Sequence, residues 1–244
     1  MGRVERELRR KLKSGERLFF LLSDPEKPLN TRLVRKFEEA GADLLLVGGS
    51  LNVLPYDIDK YVKEVREADV KIPVVLFPGG LNNIAKSADA ILFMSLLNTL
   101  DPYWLIGAQV AAAPLIKRLG LEVIPTGYLI IGHGGAAGHI GRSLPVPPET
   151  PYIVGAYAAA SELLGLRALY LEAGSGAPRP VPGKAIEYAR RSTTNTLLIV
   201  GGGLRQVDDA REALAHGADA IVVGTLAEKN PEKALTMLTL VKKK

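Results

Sequence analysis

A parallel (β/α)8 barrel is the fold this sequence predicts, and three observations predict it. Short, almost wholly apolar runs recur from one end of the chain to the other, as strands buried on both faces require. Helical patterns with readable start and stop signals lie between them. The 244 residues, 47% of them hydrophobic, suit one substantial core, so residues 1–244 are expected to form a single barrel domain.

The strands read as Leu18–Leu22, Leu44–Val47, Val74–Phe77, Ala90–Phe93, Glu122–Pro125, Ala168–Leu171, Leu197–Val200 and Ala220–Val223. Before the first, Val4–Leu12 is amphipathic and predicts an extra N-terminal helix covering the barrel floor. Thr31 is placed to cap a helix through Ala40, and Gly41 stops it. Asp57 opens a helix through Ala68, Asp101 one through Leu119, and Thr150-Pro151 one through Leu164. Pro182-Gly183 precede a helix to Arg191, Gln206 begins one that ends at Gly217, and Pro231 starts the last.

Two connections break the alternation. Only Gly79–Asp89 separates the third and fourth strands, too short for a crossover helix with its loops, so the barrel is expected to lack a regular third helix. Gly127–Glu149 is a long glycine-rich and then proline-rich link after the fifth strand, a length that compact domains reserve for function.

Composition excludes several classes. Runs such as Leu44–Val47 and Ile221–Val223 are far too short to cross a bilayer. Met1–Arg6 has neither the apolar stretch of a signal peptide nor the hydroxyl of a myristoylation site, and a cytoplasmic protein is expected. The absence of cysteine removes disulfides, thiolate metal sites and cysteine nucleophiles. The net charge of +5 gathers partly in Arg9-Arg10-Lys11 and Lys242-Lys243-Lys244. It reads as solvated helix surface and tail, or as a patch for an anionic membrane surface. With 6% aromatic residues there is no basic–aromatic platform for nucleic acid.

Barrel active sites form at the C-terminal ends of the strands. The sixth strand supplies the most informative stretch, Tyr170-Leu171-Glu172-Ala173-Gly174-Ser175-Gly176-Ala177. Alternation puts Ala168, Tyr170 and Glu172 on one face, with the carboxylate running into a glycine turn. Gly174-Ser175-Gly176, Gly202-Gly203 and Gly224-Thr225 end three consecutive strands, where small residues let backbone N–H groups approach a phosphate. Glu172 can serve as a general base, or it is a salt-bridged structural carboxylate. Asp24 and Ser50 end the first two strands; they are hard oxygen ligands for Mg²⁺, or they cap a turn and a helix. His133, His139 and His216 lack metal-site spacing and read as loop histidines, and Tyr103 and Trp104 as packing or interface aromatics.

With these residues in hand, the chain resembles the geranylgeranylglyceryl phosphate synthase family and its bacterial heptaprenylglyceryl relatives. The resemblance is carried by Asp24-Pro25-Glu26-Lys27, Gly48-Gly49-Ser50, Phe77-Pro78-Gly79, Leu97-Asn98, Pro102-Tyr103-Trp104, Pro125-Thr126-Gly127-Tyr128, Tyr170–Pro178 and Gly201–Leu204. It implies a modified barrel and a Mg²⁺-dependent prenyltransferase. The reaction joins geranylgeranyl diphosphate to the 3-hydroxyl of sn-glycerol-1-phosphate, the first ether bond of archaeal membrane lipids. By the resemblance Asp24 and Ser50 hold Mg²⁺, Glu172 accepts the hydroxyl proton, and Tyr170 orients the glycerol. Ala173, Gly174, Ser175, Gly202, Gly203, Gly224 and Thr225 meet the phosphate side, with Tyr128 lining the same pocket. Thr225 stands where the family commonly has Asn, and Gly134-Gly135-Ala136-Ala137 where it usually has hydroxyl residues. The Tyr103-Trp104 segment resembles the branch that forms larger assemblies, so a homo-oligomer is expected. The alternatives are a synthase for another prenyl length, a phosphosugar isomerase or lyase on the same barrel, and a non-catalytic phosphate-ligand binder.

Overall fold

The computed structural model describes residues 1–49 and 52–243. Its strands are β1 (Leu18–Ser23), β2 (Leu44–Val47), β3 (Val74–Leu76), β4 (Ala90–Leu96), β5 (Glu122–Ile130), β6 (Ala168–Glu172), β7 (Leu197–Gly201) and β8 (Ala220–Val223). They follow one another in chain order round a closed barrel, the fold class the apolar runs predict. The helices are α1 (Arg3–Lys13), α2 (Thr31–Glu39), α3 (Pro55–Glu67), α4 (Ala108–Leu119) and α5 (Gly135–Ile140). After them come α6 (Pro151–Leu163), α7 (Gly183–Arg191), α8 (Val207–Ala215), α9 (Thr225–Lys229) and α10 (Pro231–Lys242).

The chain divides into two compact units. The first takes Met1–Leu92, Val110–Ile124 and Val223–Lys244. Its strands pair in parallel, Phe20 opposite Leu44 and Leu46 opposite Val75, and all of these side chains are buried. Helix α1 starts without a cap of its own; Glu122 supplies one from the start of β5, accepting from the N–H groups of Val4 at 2.8 Å and Glu5 at 2.9 Å. The buried Asp43 gathers Lys11 Nζ from α1 at 2.8 Å, Lys242 Nζ from α10 at 2.6 Å and the Phe19 N–H at 2.7 Å. A carboxylate with this many donors meets the condition under which charge burial is tolerated.

Two starts differ from the sequence reading. Asn30, not Thr31, caps α2: its side-chain oxygen accepts the Arg32 N–H at 2.9 Å. Asp57 lies inside α3, three residues beyond Leu54, whose N–H it accepts at 2.9 Å. The link between β3 and β4 carries only the 3₁₀ turn Leu81–Asn83, as its length predicts. Its fold is set by side-chain amides: Asn83 Oδ1 accepts the Gly79 N–H at 2.9 Å, and Asn82 and Asn83 both donate to the carbonyl of Val53.

The second unit takes Phe93–Gln109 and Pro125–Val222. Here β5 runs five residues past the predicted end at Pro125, so Thr126, Gly127 and Tyr128 lie in the strand rather than beyond it. A proline removes one donor without stopping an extended run. The expected helix from Asp101 to Leu119 opens instead with a π-helical turn, Tyr103–Gly107, and becomes α-helical at Ala108. Ser95 Oγ donates to the carbonyl of Leu105, and Gln109 Nε2 to those of Met94 and Trp104, so side chains hold the widened turn. Helices α5 and α9 were not legible in the sequence; they have six and five residues, and α5 is built on glycine and alanine.

Candidate active site

The second unit assembles its polar centre on β5, β6 and β7. Parallel register sets Tyr128 beside Tyr170 and Ile130 beside Glu172 on one side, and Glu172 beside Gly201 on the other. On the opposite face of β5, a methyl group on Gly127 would stand 2.7 Å from Ser161 Oγ of α6, so Tyr128 points away from the helices. The rings of Tyr128 and Tyr170 stack at a tilt with centroids 5.2 Å apart. Tyr128 Oη donates to Glu172 Oε2 at 3.1 Å, and Tyr170 also hydrogen-bonds the same carboxylate. The Gly174 N–H donates to Oε1 at 2.6 Å.

Glu172 is 6% exposed, and among the described residues no cation supplies its hydrogen bonds. Burial raises its pKa above the usual carboxylate range, while the Gly174 N–H and the two phenols pull it back. Both phenols are themselves pushed well above 10, first by burial and then by the Glu172 charge, so they remain donors. The structural reading of Glu172 as an ion-paired carboxylate therefore fails on its partners. A buried carboxylate with a raised pKa and neutral donors is equipped to take a proton.

The glycines after β6 and β7 make room for this group. A methyl on Gly201 would come to 1.9 Å from Tyr170 Oη, and one on Gly202 to 2.2 Å from Glu172 Oε1. Gly202 also has φ +78°, a left-handed conformation that other residues pay to adopt. These positions thus house the acid as well as forming an open turn. Ala173 is buried, Ser175 exposed and Gly203 partly exposed, so the turn surface alternates between support and access. The loop after β5 docks here: the Gly134 N–H donates to the carbonyl of Ala173 at 2.9 Å. His133 Nδ1 accepts the Gly135 N–H at 3.3 Å within that loop, and His133 and His139 are exposed.

The remaining candidates belong to the first unit. Asp24 follows β1, and its Oδ1 accepts the Glu26 N–H at 2.9 Å, so it does serve a turn. It also faces Glu228 of α9, whose pKa is raised first by burial and second by the Asp24 charge. That second carboxylate lies 204 residues away along the chain, and no local motif links it to Asp24. Gly224 and Thr225 open α9, with Gly224 packed on Leu22. Ser50 lies outside the described residues. Among the described residues no three of His, Cys, Asp or Glu converge as a metal cage. The Asp24 carboxylate beside the Gly49 backbone nevertheless fits Mg²⁺, which binds through one or two carboxylates and completes its shell with water and substrate phosphates.

A profile of the PcrB family matches residues 11–242. The chain is 64% identical to the geranylgeranylglyceryl phosphate synthase of Hyperthermus butylicus over 235 residues, covering 96% of this chain and 98% of that one. It is 40% identical to the enzyme of the same name from Staphylothermus marinus over 247 residues, covering all of both chains. Among solved structures, (S)-3-O-geranylgeranylglyceryl phosphate synthase from Thermoplasma acidophilum, in complex with substrate sn-glycerol-1-phosphate, superposes with TM-score 0.91 at 31% identity. That match covers 99% of this chain and 97% of the other.

Proposed function

The chain belongs to the PcrB family, and from that premise we propose that it joins geranylgeranyl diphosphate to the 3-hydroxyl of sn-glycerol-1-phosphate. The products are geranylgeranylglyceryl phosphate and diphosphate. The observation that carries the reading is Glu172: a buried carboxylate of raised pKa, held by two phenols and one amide beside two glycine turns. The relative solved with sn-glycerol-1-phosphate bound supports the choice of acceptor.

In the reaction the prenyl C1–O bond breaks and diphosphate departs with the bonding pair, leaving an allylic cation. The glycerol 3-hydroxyl oxygen supplies the pair for the new C–O ether bond, and its proton passes to Glu172. Tyr170 and Tyr128 fix both the carboxylate and the glycerol hydroxyls, so the base is aimed before the cation forms. The turn at Ser175 and the turn at Gly202–Gly203 would address the phosphate through backbone N–H groups, the Gly174 N–H being committed to Glu172. Asp24 and Ser50 would hold Mg²⁺, whose charge would offset that of the departing diphosphate.

Other features support further parts of the reading. Tyr103, Leu105 and Ile106 are exposed on the π-helical turn and offer an apolar face for self-association. No helix among the described residues is long and apolar enough to cross a membrane. The exposed basic residues near both ends of the described chain suit a transient encounter with an anionic lipid surface.

The test is product mass after incubating the protein with sn-glycerol-1-phosphate, Mg²⁺ and prenyl diphosphates of several lengths. We expect the geranylgeranyl ether to dominate. A longer prenyl product would reassign the chain-length specificity, and turnover of glycerol phosphate without any prenyl diphosphate would overturn the transferase.

A further inference from the structure

Arg205 ties together the two glycine turns of the second unit. Its Nη2 donates to the carbonyl of Gly176 at 2.8 Å and to that of Ala177 at 2.7 Å. The base of this arm is anchored as well: Asp209 Oδ2 accepts the backbone N–H of Arg205 and that of Gln206, each at 2.7 Å. The side chain therefore runs from the residue before the N-cap of α8 to the far end of the Gly174–Ala177 turn.

Between these anchors the turns already touch. A methyl on Gly202 would lie 2.7 Å from the Gly174 nitrogen, and one on Gly203 2.5 Å from the carbonyl oxygen of Arg179. Gly174 and Gly202 both hold positive φ, and neither has a side chain to keep it there. Such a pair loses much backbone entropy when it is fixed, so an external restraint has most effect here. A charged donor bonded to two carbonyls is a strong restraint. Nε and Nη1 of Arg205 have no protein partner among the described residues, so the positive charge is not neutralised.

We propose that Arg205 is a positioning residue for the phosphate of the acceptor. It straps the β6 turn to the β7 turn so that amides of both address one phosphate, and its charge adds attraction for the dianion. This rests on the reading of glycerol phosphate as substrate given above. It explains why an exposed arginine spends its guanidinium on main-chain carbonyls when carboxylates are abundant on the surface.

The experiment is calorimetric titration of sn-glycerol-1-phosphate and of inorganic phosphate into the intact protein, its Arg205→Ala and its Arg205→Lys variants, with steady-state kinetics alongside. We expect Arg205→Ala to weaken both ligands about ten- to hundredfold, as befits lost hydrogen bonds to a charged group. The KM for glycerol phosphate rises, while kcat at saturation and the KM for prenyl diphosphate hold. Arg205→Lys, which keeps the charge and loses the fork, falls between. If the alanine variant does not fold, the lysine variant carries the same comparison. Unchanged phosphate binding in the variants overturns the strap alone, as does an equal loss in the KM for prenyl diphosphate. A wild-type protein that binds neither phosphate ligand overturns the substrate reading and the strap with it.

Discussion

Tyr128 donates its phenolic hydrogen to Glu172 across the β5–β6 boundary at 3.1 Å, and among the described residues no lysine or arginine shares that carboxylate. The arrangement keeps the acid ionisable and basic at once. A cation in the same place would have lowered its pKa and removed its usefulness as a proton acceptor.

Glu172→Gln is expected to lower the rate by about 10²–10⁴-fold, the range for a lost general base. The same change is expected to raise the melting temperature at neutral pH. The folded-state pKa of Glu172 lies above its unfolded value, so its stabilising contribution is full below the unfolded pKa and is lost as pH rises through the folded one. Removing the charge removes that neutral-pH penalty. A variant that is both active and no more stable would contradict both roles.

Tyr128→Phe deletes a hydrogen bond to the charged form of Glu172, so the carboxyl pKa moves further up. Activity requires the ionised base. The acid limb of the pH–rate profile should therefore shift to higher pH in the variant, and an unshifted limb would count against Glu172 as the titrating group.

Gly202→Ala places a methyl 2.2 Å from Glu172 Oε1 in a backbone conformation that alanine adopts poorly. We expect a stability loss of about 1–3 kcal/mol by chemical denaturation, together with a fall in rate as the carboxylate is pushed aside. Full activity in this variant would mean that the turn opens without moving Glu172.

Asp24→Asn is expected to raise the Mg²⁺ concentration needed for half-maximal rate and to weaken prenyl diphosphate more than glycerol phosphate. Titrating both substrates at several Mg²⁺ concentrations checks this. Equal losses for the two would remove Asp24 from the metal.

The barrel was legible because most strands are nearly unbroken apolar runs, the pattern that burial on both faces leaves. The missing third helix was legible from length alone. Less accessible was the reach of β5, since Pro125 interrupts the run that Tyr128 and Ile130 continue. Short helices such as α5 and α9 are held by their surroundings and not by propensity. The octapeptide at β6 announced its carboxylate, yet not the neighbours that tune it. Tyr128 is 44 residues from Glu172, and that pairing is a product of strand register. The part Gly201 and Gly202 play in housing Tyr170 and Glu172 was hidden for the same reason. The phosphate-like glycine pattern was visible while half its purpose was not.

The lysines on Asp43 have a dynamic consequence. Lys11 of α1 and Lys242 of α10 both donate to one buried carboxylate, so neither helix can lift away without stripping a charged donor from it. Segments that share such a penalty open together. Amide hydrogen exchange in α1 and α10 should accordingly follow one common opening free energy, making elements more than 200 residues apart in the chain a single cooperative unit.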